Sequence, residues 1–481
     1  MSSYSNMAFK QTVGRTPHNY LAVQSNGYLM YSANGVVQPG TKFAIEHASA
    51  NLVHIRSSSN NKYWVRLNAG DAKNLIVAQA VEPVVDQASP VCTLFSIRID
   101  SNKRATFYHV QSGRVVGLPL LGGHPTGTLS IDPTATTQAV SAVVDYDGLV
   151  ILPKFVAFKG SNDLYYKNLV SMFMEKEIGR PDIVCECHYS TDGHLRVRVA
   201  SDIPGAENFF WSAQKDSTGI AMVTFDHSNP TDVRQMFDVI KVAKNVIALR
   251  SHVNNLICIR EPSNSFEYGH LVAKSMGMVN HTQLEIVEPV FNRTVTVYEF
   301  NLDKARIYGV ELLYTDNHTW DNYTDVPQSG TADGRITTSK SHTYTNNVTV
   351  SSTVTTEFKT GIPFIVDAKI EVSATASYSH EWAETTTDEQ QVGHMFNVVV
   401  APKKRTVARG TATKAKCDVP FAYTQRDYPA SGGPPIVTTL HDGVFTGANA
   451  YSFHSEVRYD ELPTYNGPAP TKCIKRIVPH K

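Results

Sequence analysis

The chain has no surplus of charge of either sign: 44 Lys and Arg stand against 44 Asp and Glu in 481 residues. A nucleic-acid partner is therefore not expected, because phosphate binding leaves a basic footprint. Long apolar runs are also missing. No stretch approaches the roughly 18 apolar residues of a membrane helix. The opening "MSSYSNMAFKQTVGRTPHNY" has no apolar core of signal-peptide length, so the expectation is a soluble chain made in the cytoplasm without a signal peptide. Cysteine is scarce: six residues at 92, 185, 187, 258, 417 and 473. The "CEC" pair at Cys185 and Cys187 is too close for a zinc ribbon, so no metal site is assigned and buried free thiols are expected. The five Asn-x-Thr sequons, which would matter only in a secreted chain, read as Thr-rich β sequence. Sustained helical periodicity is hard to find.

What the sequence does have is Val, Thr, Ser and Tyr in short alternating runs bounded by turn residues, an all-β signature. Closing strands recur as "KFAIEHA", "TLFSIRI", "SAVVDYD", "MFDVIKV" and "QLEIVEP". Phe43 to Phe95 is 52 residues, Phe95 to Ala142 is 47, and Phe237 to Leu284 is 47. The gap of 95 from Ala142 to Phe237 implies one more strand near 187, where "IVCECHY" gives both cysteines a core role. The helix-permissive "TDVRQMFDVIKVAKNVI" accordingly reads as two strands. Opening hairpins recur too, in "LVHIRSSSNNKYWVR", "FVAFKGSNDLYYKN", "LRVRVASDIPGAENFFW" and "VIALRSHVNNLICIR". Six units of about 45 residues predict two tandem β-trefoils, over residues 1–148 and 149–292, since each unit needs two neighbours to cover its apolar face.

"LVHIRSSSNNKYWVR", "CTLFSI" and "PKFVAFKGSNDLYY" resemble the agglutinin domains of amaranthin-type plant lectins, over roughly residues 7–290. The resemblance implies binding of galactose- or N-acetylgalactosamine-type glycans. In the family a loop after the "NKY-VR" strand carries aromatics and Asn; here it reads "LNAGDAKNLIV", leaving Lys73 and Asn74 as polar candidates. Sugar sites favour an aromatic platform beside fixed polar groups. Trp64 is the candidate platform, although an aromatic on such a strand is more often core. Asn254 and Asn255 are further candidates, with turn formation as their default role.

The repeat stops near residue 292. In the following segment, 293–481, one ribbon stands out: of the sixteen even positions from Val348 to Tyr378, thirteen are apolar or aromatic, while the odd ones are mostly Thr, Ser, Glu, Lys and Asp. A hairpin turning at "GIPF" would give two arms, each long enough for the 9–11 residues of a membrane-crossing strand. One apolar and one polar face is the pattern of a transmembrane β-barrel, which several copies must close. A hairpin of a sandwich with one buried face is the commoner source of such alternation, but the run exceeds the usual strand of about 5–6 residues.

"FKTGIPFIVDAKIEVS" and "VVVAPKKRTVARGTATKAKCDVPFAY" resemble the aerolysin-like, ETX/MTX2-type β-pore-forming module, with Ala401 standing where a second proline is common. The resemblance, over roughly residues 295–465, implies an elongated β-sandwich module, assembly into a homo-oligomeric ring, and insertion of the ribbon into a lipid membrane. A dimer before assembly is compatible with it. Residue roles then follow. Val348, Val350, Val354, Phe358, Val366, Ala368, Ile370, Val372, Ala374 and Ala376 are expected to face lipid. Glu357, Lys359, Asp367, Lys369 and Glu371 are expected to line the lumen, and Gly361, Ile362, Pro363 and Phe364 to form the tip. The basic run Lys403, Lys404, Arg405 and Arg409 reads first as a solvated strand face and second as a lipid-headgroup contact. No cofactor is implied.

The leading expectation is a glycan-binding chimeric lectin that forms membrane pores in plant defence. The alternative is a lectin whose third module only mediates oligomerisation. An enzyme ranks last: no H-E-x-x-H, G-x-S-x-G or P-loop pattern is present, and no pair of carboxylates is placed by the sequence in one cleft.

Overall fold

The computed structural model describes residues 5–12, 19–49, 51–68, 70, 73–119, 127–131, 137–168, 172–199, 208–262, 269–350, 354–464, 467 and 470–478. Regular structure among them is strand, apart from short 3-10 turns such as Pro181–Ile183 and Val233–Gln235. The chain is all-β. "TDVRQMFDVIKVAKNVI" is strand-forming as expected, giving Phe237–Lys241 and the start of Val246–Ser251.

Two rings of strands close on themselves. In the first, Asn6–Gln11, Phe43–Ser49, Leu52–Ser57, Leu94–Ile99, Arg104–His109 and Ser141–Asp145 each pair with the next, and the last pairs back to the first. In the second the same holds for Phe155–Gly160, Cys185–Tyr189, Leu195–Val199, Phe237–Lys241, Val246–Ser251 and Leu284–Val287. Every closing strand read from the sequence, including the inferred "IVCECHY", is a wall of one of these barrels. Closure leaves the wall strands without free edges, which removes the commonest route to aggregation of a β-sheet.

Each barrel has its own core. Trp64 and Trp211 are fully buried, one in each. Trp64 meets Phe43, Phe95 and Phe9 edge-on at 5.4, 5.8 and 6.3 Å and Phe107 at 5.3 Å. Cys185 and Cys187 lie in the second core, as their spacing on one face of a strand required. The opening hairpins share one turn. Ser57, Gly160 and Ser251 donate their amides to Lys62, Leu164 and Leu256, and Asn61, Asp163 and Asn255 sit at positive φ (54°, 61° and 60°). Asn and Asp tolerate that left-handed geometry, which is why they recur at this place. The corresponding turn of the third hairpin falls at 200–207, outside the described residues.

By contact the chain divides into two compact units: residues 1–295, 346–357 and 424–442 form one, and 296–345, 358–423 and 443–481 form the other. The region expected as a third module from residue 293 thus contributes two segments to the unit that holds the barrels. Strand Val290–Phe300 continues straight through residue 292. There Arg293 is buried between Glu288 (2.6 and 3.1 Å) and Asp427 (2.5 and 3.1 Å). Burial alone would lower its pKa, but the two carboxylates raise it well above the ordinary value. Two strands of 26 residues, Lys404–Pro429 and Ile436–Glu461, are neighbours in a sheet that also holds Val290–Phe300, Thr356–Thr360, Ala376–Ser379, Ile336–Thr345 and Thr385–Val392.

Candidate functional site

Four of the five glycan candidates have structural roles in this fold. Trp64 is packed inside the first barrel with no ring face open, so the platform expected there is corrected: a large aromatic on a barrel strand lowers the free energy more by filling the core. Asn254 donates to the carbonyls of Gly219 (3.0 Å) and Ala273 (2.8 Å) and accepts from the Leu256 amide (3.1 Å). Asn60 in the first barrel does the same, donating to Ala78 (3.0 Å) and accepting from Lys62 (3.1 Å). Asn254 is therefore a turn brace, and Asn255 is the left-handed turn residue beside it. Asn74 is also left-handed (φ 73°), with its side-chain oxygen held by Arg66 at 2.9 Å. Of the five, Lys73 is exposed, its amide donating to the Gly70 carbonyl at 3.1 Å. Residues 69, 71 and 72 of its loop lie outside the described residues.

The ribbon is the second site, and the fold divides it. Its first part lies with the barrels. Thr349 donates its amide to the Ile151 carbonyl (2.8 Å), and its Oγ1 accepts from the Ile151 amide (2.8 Å). Lys241 Nζ donates to the Thr349 carbonyl at 2.5 Å. Val350, 1% exposed, is buried in the core of the second barrel. Residues 351–353 lie outside the described residues.

Beyond them the chain forms a hairpin whose register decides the geometry. Pro363–Val366 pairs with Lys369–Val372: Pro363 opposite Val372, Phe364 opposite Glu371, Ile365 opposite Ile370, and Val366 opposite Lys369. The reversal is made by Asp367 (φ 44°) and Ala368 (φ 60°). Positive φ at both central residues is what a two-residue type I′ turn requires. The turn expected at Gly361–Phe364 is therefore corrected: those residues belong to the first arm, and the sequence signal at the reversal is an Asp-Ala rather than the usual Asx-Gly.

This turn has a consequence for the faces. Residues directly opposite each other on an antiparallel pair share a face. Each pair above sums to 735, so an even residue on one arm always faces with an odd residue on the other. Phe364 sits with Glu371 and Val366 with Lys369, so the even residues of the two arms lie on opposite faces, and the apolar face is made by Pro363, Ile365, Ile370 and Val372. The burial phase also slips. Thr356, Phe358 and Thr360 are buried on even positions, whereas Gly361, Pro363 and Ile365 are buried on odd ones. Gly361 permits the slip, because a Cβ there would lie 2.4 Å from the Ser373 carbonyl oxygen. No other residue fits so close a backbone approach.

The expected lipid-facing residues consequently differ in environment. Phe358 and Val350 are buried; Val348, Val354, Val366 and Ile370 are half-buried; Ala368, Val372, Ala374 and Ala376 are exposed. Among the expected lumen residues, Lys359, Asp367, Lys369 and Glu371 are exposed and Glu357 is half-buried. Ile362 and Phe364 are half-buried and Pro363 is buried.

Two clamps hold the hairpin within its unit. At the base, Phe358 meets Trp382 at 5.0 Å and Tyr344 at 5.2 Å between ring centroids. Tyr378 donates to the Tyr344 hydroxyl (2.7 Å), which donates to the Gly361 carbonyl (3.1 Å). His342 and His380 stack 5.8 Å apart in the same cluster. Burial lowers the pKa of both, and His342 is lowered further by His380. Near the turn, Asn449 bonds the backbone of Ile365 through both amide atoms (2.9 Å each), and Ser452 donates to Asp367 at 3.1 Å. These side-chain clips were invisible in the sequence, since Asn449 and Ser452 lie about 85 residues downstream of their partners. The basic run is paired throughout: Arg405 with Asp321 (2.6 Å), Arg409 with Glu456 (2.7 Å), Lys403 with Asp325 (3.3 Å) and Lys404 with Glu461.

Residues 9–123 match the agglutinin domain family. Residues 282–423 match the family of Clostridium epsilon toxin ETX and Bacillus mosquitocidal toxin MTX2. The chain therefore joins a lectin-type agglutinin domain to an aerolysin-like pore-forming toxin domain. No curated protein sequence matches it. Similar solved structures include a mosquitocidal holotoxin (11% identity, TM-score 0.28, covering 63% of this chain and 36% of that one). Others are the hemolytic lectin CEL-III (9%, 0.29, 92% of each chain) and an aerolysin-like protein of Bombina maxima (11%, 0.23, 35% of this chain and 99% of that one). This chain thus spans about a third of the holotoxin, and at these TM-scores the structural likenesses carry no argument beside the family matches.

Proposed function

We propose that the protein attaches to galactose- or N-acetylgalactosamine-type glycans, oligomerises with copies of itself, and inserts its ribbon into the lipid bilayer as a β-barrel pore, in plant defence. The two closed barrels are read as β-trefoils that carry the glycan site, and no catalytic step is assigned. One observation carries the pore reading. The alternation of residues 348–378 puts apolar or aromatic residues at thirteen of sixteen even positions, yet the fold uses it only in part: the phase slips at Gly361, the arms pair even with odd, and Val372, Ala374 and Ala376 are exposed. A two-faced pattern that the folded state leaves partly unused fits a second state in which the apolar even residues meet lipid.

Such a state needs Val350 withdrawn from the second barrel, both hairpin clamps opened, and the arms re-paired by one residue. Re-pairing is required because even residues of both arms share a face only when opposite partners sum to an even number.

The test is dye release from liposomes bearing terminal galactose or N-acetylgalactosamine. Val372→Asp changes a side chain that is 37% exposed, so the melting temperature should hold. The substitution puts a charge on the lipid face of every subunit, at about 2–4 kcal/mol each near the midplane. Release is expected to vanish while liposome binding stays. Wild-type protein that binds these liposomes and never releases dye, at neutral or acidic pH or after protease treatment, would instead support a lectin whose toxin-type domain serves oligomerisation only.

A further inference from the structure

We propose that His194, Asp238 and His252 form a binding site for a divalent transition metal of the zinc class, on the wall of the second barrel. Among the described residues this is the one group of His, Cys, Asp and Glu side chains able to hold an ion, with its ligand atoms all within 4.8 Å of one another.

The barrel's register builds the group. Leu195 lies opposite Phe237, which by the same antiparallel ladder sets His194 opposite Asp238. Asp238 lies opposite Arg250 on the next wall strand, so His252, two residues further, is its diagonal neighbour on the same face. Asp238 is thus placed by backbone pairing on a wall strand, with His194 one residue before the neighbouring wall strand on one side and His252 one residue past the wall strand on the other. His194 Nδ1 is already 2.6 Å from an Asp238 oxygen, and the His252 ring stands edge-on to His194 at 4.4 Å. The His252 amide is tied to the Met236 carbonyl at 3.1 Å.

Two imidazoles and a carboxylate are donors that zinc accepts at about 2.0–2.2 Å, with a water completing the tetrahedron. Tetrahedral packing at those lengths separates ligand atoms by about 3.3 Å. The His194–Asp238 pair would open by less than an ångström and lose its shared proton to solvent. Arg250, opposite Asp238, is the charge that opposes a cation. Asp192, two residues before His194, is committed to the first barrel through Lys10 (2.5 Å) and Tyr20 (2.9 Å). Thr191 accepts from the Val36 amide (3.0 Å) in the same turn. An ion on His194 would therefore stiffen the turn that joins the two barrels. No sequence spacing announced this site, because its ligands lie 44 and 14 residues apart.

The experiment uses the full chain without an affinity tag, stripped with a chelator and titrated with Zn²⁺ by calorimetry. Co²⁺ absorption reads the coordination geometry, and the melting temperature is followed in parallel. The expected result is one equivalent bound at about 10 µM Kd or tighter, a tetrahedral Co²⁺ spectrum, and a melting temperature higher by roughly 3 °C or more at saturating metal. His252→Asn alters an exposed ring and should fold normally. This variant and Asp238→Asn should each weaken binding by about tenfold or more and lose the thermal shift. Failure to bind at about 100 µM Zn²⁺, or equal binding by wild type and both folded variants, overturns the proposal. Neither result bears on glycan binding or dye release, so the pore reading stands or falls separately.

Discussion

The barrels and the ribbon are both built from alternating β sequence, and the fold treats them in opposite ways. In the barrels the repeat is used throughout: each closing strand is a wall, each described opening hairpin reverses at a left-handed Asn or Asp, and a buried tryptophan fills each core. In the ribbon a stricter alternation is left partly unused. Its first residues plug the second barrel, its middle changes phase at Gly361, and its end exposes Val372, Ala374 and Ala376. Alternation read from sequence says that two faces exist. It does not say that one folded state uses both.

The contrast can be broken most severely by locking the hairpin. Val366→Cys with Lys369→Cys places two thiols directly opposite each other across the turn, within disulfide reach. If insertion requires a one-residue slip, the oxidised variant should release no dye, and reductant should restore release; full release while oxidised would show that the described register is compatible with the pore. Next in size is the barrel core. Trp64→Ala should cost about 3–5 kcal/mol, read by denaturant unfolding of the full chain, and should reduce glycan binding only through unfolding.

Acid should separate the two regions less sharply. Burial lowers His109 of the first barrel to about 4, and lowers His342 and His380 of the aromatic clamp below the ordinary value of 6.5. Each is held neutral in the fold, so the unfolded chain binds the proton more readily. The stability that each contributes is complete above the ordinary histidine value and declines as pH falls below it. The first barrel should therefore weaken between about pH 6.5 and 4, and the clamp as pH falls below about 6.5. His380→Asn should flatten the acid dependence of hairpin exposure, measured by limited proteolysis, while leaving that of the first barrel unchanged.

The smallest effect concerns the turn. Ala368 is left-handed without the freedom of glycine, so Ala368→Gly should favour the described hairpin by about 0.5–1 kcal/mol. The readout is slower dye release at equal binding.

Much of this was legible in advance for a physical reason. A repeat of about 45 residues imposes the same apolar positions six times, so the repeat alone places "IVCECHY" as a barrel strand. The ribbon's alternation was equally plain. Its reversal was not: "GIPF" carries the residues of a turn, yet Pro363 and Phe364 sit in a strand because Tyr344 and Asn449, both remote in sequence, bond the backbone at Gly361 and Ile365. Trp64 and Asn254 were ambiguous for a similar reason. A tryptophan or an asparagine has the same chemistry in a core, a turn or a sugar site, and only its neighbours decide which.

Composition and periodicity by themselves determined the all-β class, the six repeats, the two-faced ribbon and the change of character near residue 292, because each is a local rule written many times over. The tertiary structure alone decided the hairpin register, the slip at Gly361, the allotment of residues 346–357 and 424–442 to the unit holding the barrels, and the meeting of His194, Asp238 and His252. Those depend on which distant strands pair, and pairing is settled by closure and burial over the whole chain rather than by any short stretch of it.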